Sequence, residues 1–289
     1  FETDREPGAG DWRAAIQELA AFDRPSASDG ERRAAELIAA RLRSLGCEVS
    51  VEQESAHGGY WWPIGLANGL ALVAGAFALR RRDRVGRLIG AVAAGVSAAA
   101  LWDDLGHGRR WFRRAVLPRR PTWNVVAQAG DRTAERTVVI VAHHDAAHSG
   151  LVFHPALGRI GPRLTPRMHE RSSHTLPILY GVWLGPVAVC AGAALGLWPL
   201  VRAGLLFGAG AVAAMTDIGL HPVVPGANDN LSAVGALIAL AESLNSEPLS
   251  GVRVLLVSTG SEESFSEGMQ AFGERHFGSL DRERTEFVC

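Results

Sequence analysis

The chain contains no lysine, so all 29 of its basic residues are arginine. A phosphate loop of the Walker type, with its Gly-Lys-Ser/Thr ending, is therefore absent, and Gly226 and Gly235 do not build one. Three cysteines, Cys47, Cys190 and Cys289, make neither a disulfide framework nor a Cys-x-x-Cys pair. No Gly-x-Ser-x-Gly nucleophile elbow occurs. A formal charge of -1 gives no electrostatic footprint for nucleic acid, and none is expected as a partner.

What is present begins with Val138-Val139-Ile140-Val141-Ala142-His143-His144-Asp145. A β-branched apolar run too short for a helix reads as a strand buried on both faces. Polar residues at its C-terminal end sit where open α/β sheets place ligand sites. On an extended backbone His143 and Asp145 share a face. The pair suits a metal ligand with its orienting carboxylate, an acid/base pair, or simply a capped strand end.

Two later segments bear on that choice. Pro225-Gly226-Ala227-Asn228-Asp229-Asn230 is turn-rich and feeds an apolar helical pattern to about Leu244, so Asp229 lies near a helix N-terminus. Taken alone, Asp229 reads as an N-cap. Val252–Ser258 reads as a second buried strand delivering Glu262 and Glu263 at its end. Two acids there also suit a solvated first helical turn. The order of the three segments, each placing polar groups at an element's end, is what singles them out.

This ordered set resembles the M28 family of zinc aminopeptidases, from about Thr122 onward. The resemblance implies that His143, Asp229 and Glu263 are metal ligands, with Asp229 bridging two zinc ions. It implies that Asp145 orients His143, that Glu262 is the general base, and that the peptide after Asp229 is cis. The implied substrate is a peptide with a free N-terminus. Implied alternatives are a single-zinc acyltransferase like glutaminyl cyclase, or a non-catalytic membrane scaffold on a peptidase fold. The family also uses an aspartate from a later strand and a histidine near the domain end. Thr285–Cys289 reads as the opening of that strand and His276 comes too early in the order, so the chain is expected to be truncated at its C-terminus.

Four apolar stretches interrupt the motifs: Tyr60–Leu79, Val85–Trp102, Leu176–Leu200 and Ala203–Leu220. Each is close to the ~20 residues that cross a bilayer. Trp61, Trp62 and Trp102 are placed like interface anchors, and dense glycine and alanine suit close helix packing in lipid. The expected fold is thus α/β, a mixed and mostly parallel sheet flanked by helices, interrupted by two transmembrane hairpins. The expected divisions are 1–59 for the first peptidase helices and strand, 60–102 for one hairpin, 103–175 for the His143/Asp145 segment with a connector, 176–220 for the second hairpin, and 221–289 for the Asp229 and Glu262/Glu263 segment. The connector carries His148, His154, His169 and His174 and reads as an irregular loop. Membrane lipid is an expected partner, and the oligomeric state is not legible. Arginines flanking the hairpins favour a cytoplasmic catalytic part under the positive-inside rule, against the Arg80–Arg84 tip.

Overall fold

The computed structural model describes residues 11–156, 179, 181–247 and 249–289. It divides into two compact units. One comprises Phe1–Gly58, Arg119–Ala147 and Val223–Cys289; the other comprises Gly59–Pro118 and His148–Pro222. Residues 103–118 and 148–156 thus group with the apolar helices, whereas the sequence reading assigned 103–175 to the peptidase part.

The first unit is built on five strands: β1 (Glu48–Ala56), β2 (Arg120–Gly130), β3 (Arg136–His143), β4 (Val252–Thr259) and β5 (Thr285–Val288), in the order β1-β2-β4-β3-β5. Strands β3, β4 and β5 run parallel, while β2 is antiparallel to both β1 and β4. The sheet is mixed as expected but not mostly parallel, since two of its four pairings are antiparallel. The reason is local: Ala56, at the end of β1, lies opposite Arg120, at the start of β2. The two strands are the arms of a hairpin whose turn has been replaced by the long helical excursion. A second excursion is closed the same way, the Val224 N–H donating to the Ala147 carbonyl at 2.9 Å.

Helices α1 (Trp12–Ala20), α2 (Asp29–Ser44) and, in chain order after the helical unit, α8 (Ser232–Ser246) cover one face of the sheet. Asp11 caps α1, its Oδ1 accepting from the Arg13 and Ala14 amides at 3.0 Å each. Ser28 caps α2 through the Glu31 amide at 3.2 Å. Apolar residues at helical spacing, Ile38 and Leu42 in α2 and Leu237 and Ile238 in α8, meet Val125, Val254 and Leu256 of the sheet. Each such fully buried side chain stabilises the fold by about 1.5–3 kcal/mol. Phe272, in α9 (Glu267–His276), anchors the opposite face against Val126, Val139, Leu255 and Val257.

The second unit holds α3 (Trp61–Arg80), α4 (Arg84–Leu105), the short α5 (Trp111–Val116), α6 (Gly181–Leu195) and α7 (Trp198–Leu220). Helices α3, α4 and α7 are long and apolar enough to cross a membrane. Among the described residues helix α6 has 15, within the stretch Leu176–Leu200 expected to span a membrane, part of which lies outside the described residues. Its C-terminal end is set by Gly196, which takes a left-handed φ of 72°, while the Leu197 N–H closes back on the Gly192 carbonyl at 2.8 Å. Contact between α6 and α7 is close: a Cβ at Gly185 would stand 2.7 Å from the Gly208 nitrogen. Cys190 packs among Ala71, Ala74, Ala94 and Val189, a structural position as expected. The outward faces stay apolar, with Val73 69% and Leu206 77% exposed. Arg113 is fully buried and paired bidentately with Asp104 at 2.8 and 2.9 Å.

Candidate active site

The C-terminal ends of β3 and β4 lie side by side, His143 in register with Thr259 and the His144 N–H donating to the Thr259 carbonyl at 3.0 Å. Parallel pairing therefore brings His143–Asp145 and Gly260–Glu263 to one edge of the sheet, as the two apolar runs predicted. Asp229 arrives from a third direction, on the distorted turn Ala227–Leu231 that precedes α8. The Asp229–Asn230 peptide is cis.

His143 is the meeting point. Its Nε2 lies 3.2 Å from Asp229 Oδ1 and 3.6 Å from Glu262 Oε2. On the other side of the ring, Nδ1 lies 3.2 Å from the Asp145 carbonyl oxygen and 3.4 Å from Asp145 Oδ1. His143, Glu262 and Glu263 each offer a donor atom, and the three atoms lie within 4.8 Å of one another. All five residues singled out from the sequence are thus neighbours.

Asp145 does more than face His143. It is fully buried, and its two oxygens accept the Glu262 and Glu263 backbone N–H groups at 3.0 Å each. Ser26 Oγ donates to Oδ2 at 2.6 Å. Burial opposes charge on Asp145, but the His143 hydrogen bond and charge override it and hold the carboxyl below its ordinary range. His144, in contrast, is buried with Nδ1 2.9 Å from Ser258 Oγ, and burial pushes it down to about 4. It is a neutral core residue.

The site carries an excess of negative charge. Burial, then the Asp145 charge, pushes Glu263 up to about 8. Burial also raises Glu262, with Asp145 and Asp229 adding to it against His143. His143 is resisted by its own burial, yet Asp145, Glu262 and Glu263 lift it to about 9. Four carboxyl groups converging on one imidazole, with Glu262 and Glu263 both pushed up by burial and by neighbouring charge, make an electrostatic well for a cation. The donor set is nitrogen and oxygen, which suits zinc.

Several residues that shape the site carried no signal in the sequence. Arg24 is fully buried and donates from Nε to the His144 carbonyl at 2.7 Å and from Nη2 to the Gly226 carbonyl at 3.1 Å. Gly226, at φ 57°, has no Cβ; one there would stand 2.5 Å from Arg24 Nη2. Glu31, also fully buried, accepts the Ser261 N–H and Oγ–H at 2.9 Å each. Ser261, Phe265 and Ser266 all have positive φ, 48°, 68° and 56°, so this loop is held in a conformation that L-residues resist. Asn124 braces it too, Oδ1 accepting the Gly260 N–H at 3.2 Å and Nδ2 donating to the Gly268 carbonyl at 2.9 Å. Of the expected histidine-rich connector, His169 and His174 lie outside the described residues. His148 sits in the helical unit, Nδ1 2.9 Å from the His221 carbonyl oxygen.

No protein-family model matches the chain, and no curated protein matches it. Several solved structures are similar to it at low sequence identity. A zinc aminopeptidase from Bacillus subtilis shares 13% identity at a TM-score of 0.47, covering 98% of this chain and 69% of that one. An aminopeptidase from Aneurinibacillus sp. strain AM-1 shares 12% at 0.46, covering 96% and 68%. The glutaminyl cyclase of Fimbriiglobus ruber shares 11% at 0.41, covering 91% and 48%. The chain spans about half the length of that cyclase.

Proposed function

We propose that this protein is a membrane-attached, zinc-dependent peptidase that hydrolyses the N-terminal bond of peptides. The observation that carries the reading is His143 Nε2 facing both Asp229 Oδ1 and Glu262 Oε2, with the Asp145 carboxylate behind the ring.

His143, Asp229 and Glu263 would hold the metal, with Asp229 shared where two ions bind. Bound zinc acidifies water and polarises a carbonyl. The protein's own part is acid–base chemistry and positioning. Glu262 takes a proton from the attacking water and returns it to the leaving amine. Its raised affinity for a proton, which comes mainly from burial, suits a group that must accept one near neutral pH. Asp145 keeps the His143 ring oriented with Nε2 toward the acids and fixes the backbone of both glutamates. Proton transfer through Glu262 needs only side-chain motion, because its backbone is tied down.

Membrane attachment is supported by α3, α4 and α7, by their apolar outward faces and by the Gly185–Gly208 approach. A lipid-facing surface is the solvent in which exposed leucine and valine are at home. We place the catalytic part in the cytoplasm, on the flanking arginines; protease accessibility of sealed vesicles tests this, with cleavage from the outside refuting it.

The deciding experiment is metal analysis of the intact protein together with hydrolysis of an aminoacyl reporter peptide. Two zinc ions per chain with turnover are expected. One ion with cyclisation of N-terminal glutamine would favour a cyclase, and no ion would favour a non-catalytic scaffold.

A further inference from the structure

Residues 24–31 supply none of the ligands or the base, yet they touch all three segments that do. Arg24 reaches the carbonyl of His144, one residue after His143, and the carbonyl of Gly226, three residues before Asp229. Its own carbonyl accepts the Ala146 N–H at 2.9 Å, and Nη1 donates to the Leu19 carbonyl at 3.2 Å, closing α1 onto the same point. Ser26 holds Asp145. Glu31 holds Ser261, immediately before Glu262, while also accepting from Thr122 Oγ1 at 2.6 Å, the Trp123 N–H at 3.1 Å and the Ala27 N–H at 2.8 Å.

Burying an arginine is expensive, and stability alone is served as well by an apolar side chain of similar volume. What an apolar residue cannot do is bind two loops at once. The guanidinium is a planar fork whose donors diverge in fixed directions, so its hydrogen bonds dictate a separation as well as an attraction. Here the two loops bound are the ones bearing His143 and Asp229, whose side chains meet at 3.2 Å.

We propose that Arg24 is a positioning residue, its guanidinium setting the spacing of the His143 and Asp229 loops for metal binding. This rests on the zinc reading of the same site. A lysine at this position keeps the charge but loses the fork.

The test compares the intact wild-type protein with Arg24→Lys by zinc titration against a chromophoric chelator and by the visible spectrum of the cobalt-substituted form. Thermal unfolding of both metal-free proteins is recorded alongside. Arg24→Lys is expected to bind zinc about 10- to 100-fold more weakly, as when other groups that orient ligands are lost, with altered cobalt bands. Ile38→Val, a core change in α2 away from these loops, is the control: it lowers the unfolding temperature and leaves affinity and spectrum unchanged. Wild-type affinity and spectrum in Arg24→Lys overturn the inference while leaving the zinc reading intact. An equal affinity loss in Ile38→Val also overturns it, because general loosening then explains the effect. No zinc binding by the wild type overturns the zinc reading and the inference together. Should Arg24→Lys not fold, Arg24→Gln, which drops the charge and keeps one amide NH₂ in place of the guanidinium's diverging donors, carries the same readouts.

Discussion

Asp145 Oδ1 accepts the backbone N–H of Glu262 at 3.0 Å, so the carboxylate that faces His143 also anchors the glutamate proposed as base. The orientation of the His143 ring and the placement of the Glu262 backbone are therefore one mechanical unit. Neither can shift without pulling on the other, and Oδ2 extends the same hold to Glu263.

Asp145→Asn keeps the shape but replaces one acceptor oxygen with a donor NH₂ that faces an N–H. One of the two glutamate amides is left without its partner inside the protein, at a cost of about 1–3 kcal/mol or more. Zinc affinity is expected to fall about 10- to 100-fold as well, because His143 loses its orienting charge. Denaturant unfolding and a zinc titration on one preparation check both. Unchanged zinc affinity would separate Asp145 from the metal.

Glu262→Gln is expected to retain zinc and lose turnover by about 10²- to 10⁴-fold, the usual worth of a positioned general base. Elemental analysis and hydrolysis of a reporter peptide decide it. A variant that loses its metal instead would make Glu262 a ligand, which its membership of the three-donor cluster with His143 and Glu263 allows chemically.

The pH dependence should change sign with metal. His143 lies at about 9 against an ordinary 6.5, and Glu263 at about 8 against 4.5. In both, the folded metal-free protein holds its proton more tightly than the unfolded chain does. It therefore loses stability as pH rises, from 6.5 to about 9 for His143 and from 4.5 to about 8 for Glu263. Zinc must displace these protons, so affinity rises over the same range. Thermal unfolding between pH 6.5 and 8, where both windows overlap, is expected to move down without zinc and up with it. Calorimetry in buffers of different ionisation heat should count roughly one to two protons released per zinc at neutral pH. Release of none would remove both residues from the metal.

Leu206→Arg distinguishes lipid from water around α7. Leu206 is 77% exposed. On a water-facing surface such a change alters stability by no more than about 0.5 kcal/mol. Near the middle of a membrane span it costs about 2.5–3.5 kcal/mol. Loss of insertion into microsomes is expected, and a fully inserted variant would argue against a lipid-facing α7.

Much of the frame was legible because it is written in residue pattern. Val138–Val141 and Val254–Val257 are apolar at consecutive positions, the pattern of strands covered on both faces, and they lie in β3 and β4. His143, Asp145, Glu262 and Glu263 stood out because they follow those two runs, whereas Asp229, which alone reads as an N-cap, stood out only through its order with the other segments. The direction of β2 was not, because its hairpin partner lies beyond a helical excursion and register is a property of space. Glu31 shows the deeper limit. Three residues after Ser28 it reads as an ordinary first-turn acid, and in sequence a solvated cap and a buried carboxylate with five donors look the same. Arg24, beside Pro25 and Ser26, likewise reads as a polar turn. Burial of charge is decided by what arrives from elsewhere in the chain.

The pairing of Ala56 with Arg120, and of Ala147 with Val224, gives the sheet unit two doorways through which the helical chain leaves and re-enters. Each doorway is about as wide as an ordinary tight turn, so a few residues would seal it. The sheet unit is in this sense already continuous, and the apolar helical segments are detachable cargo: they could be gained, lost or exchanged without disturbing a single strand register. A form with both doorways sealed by short turns is the corresponding design.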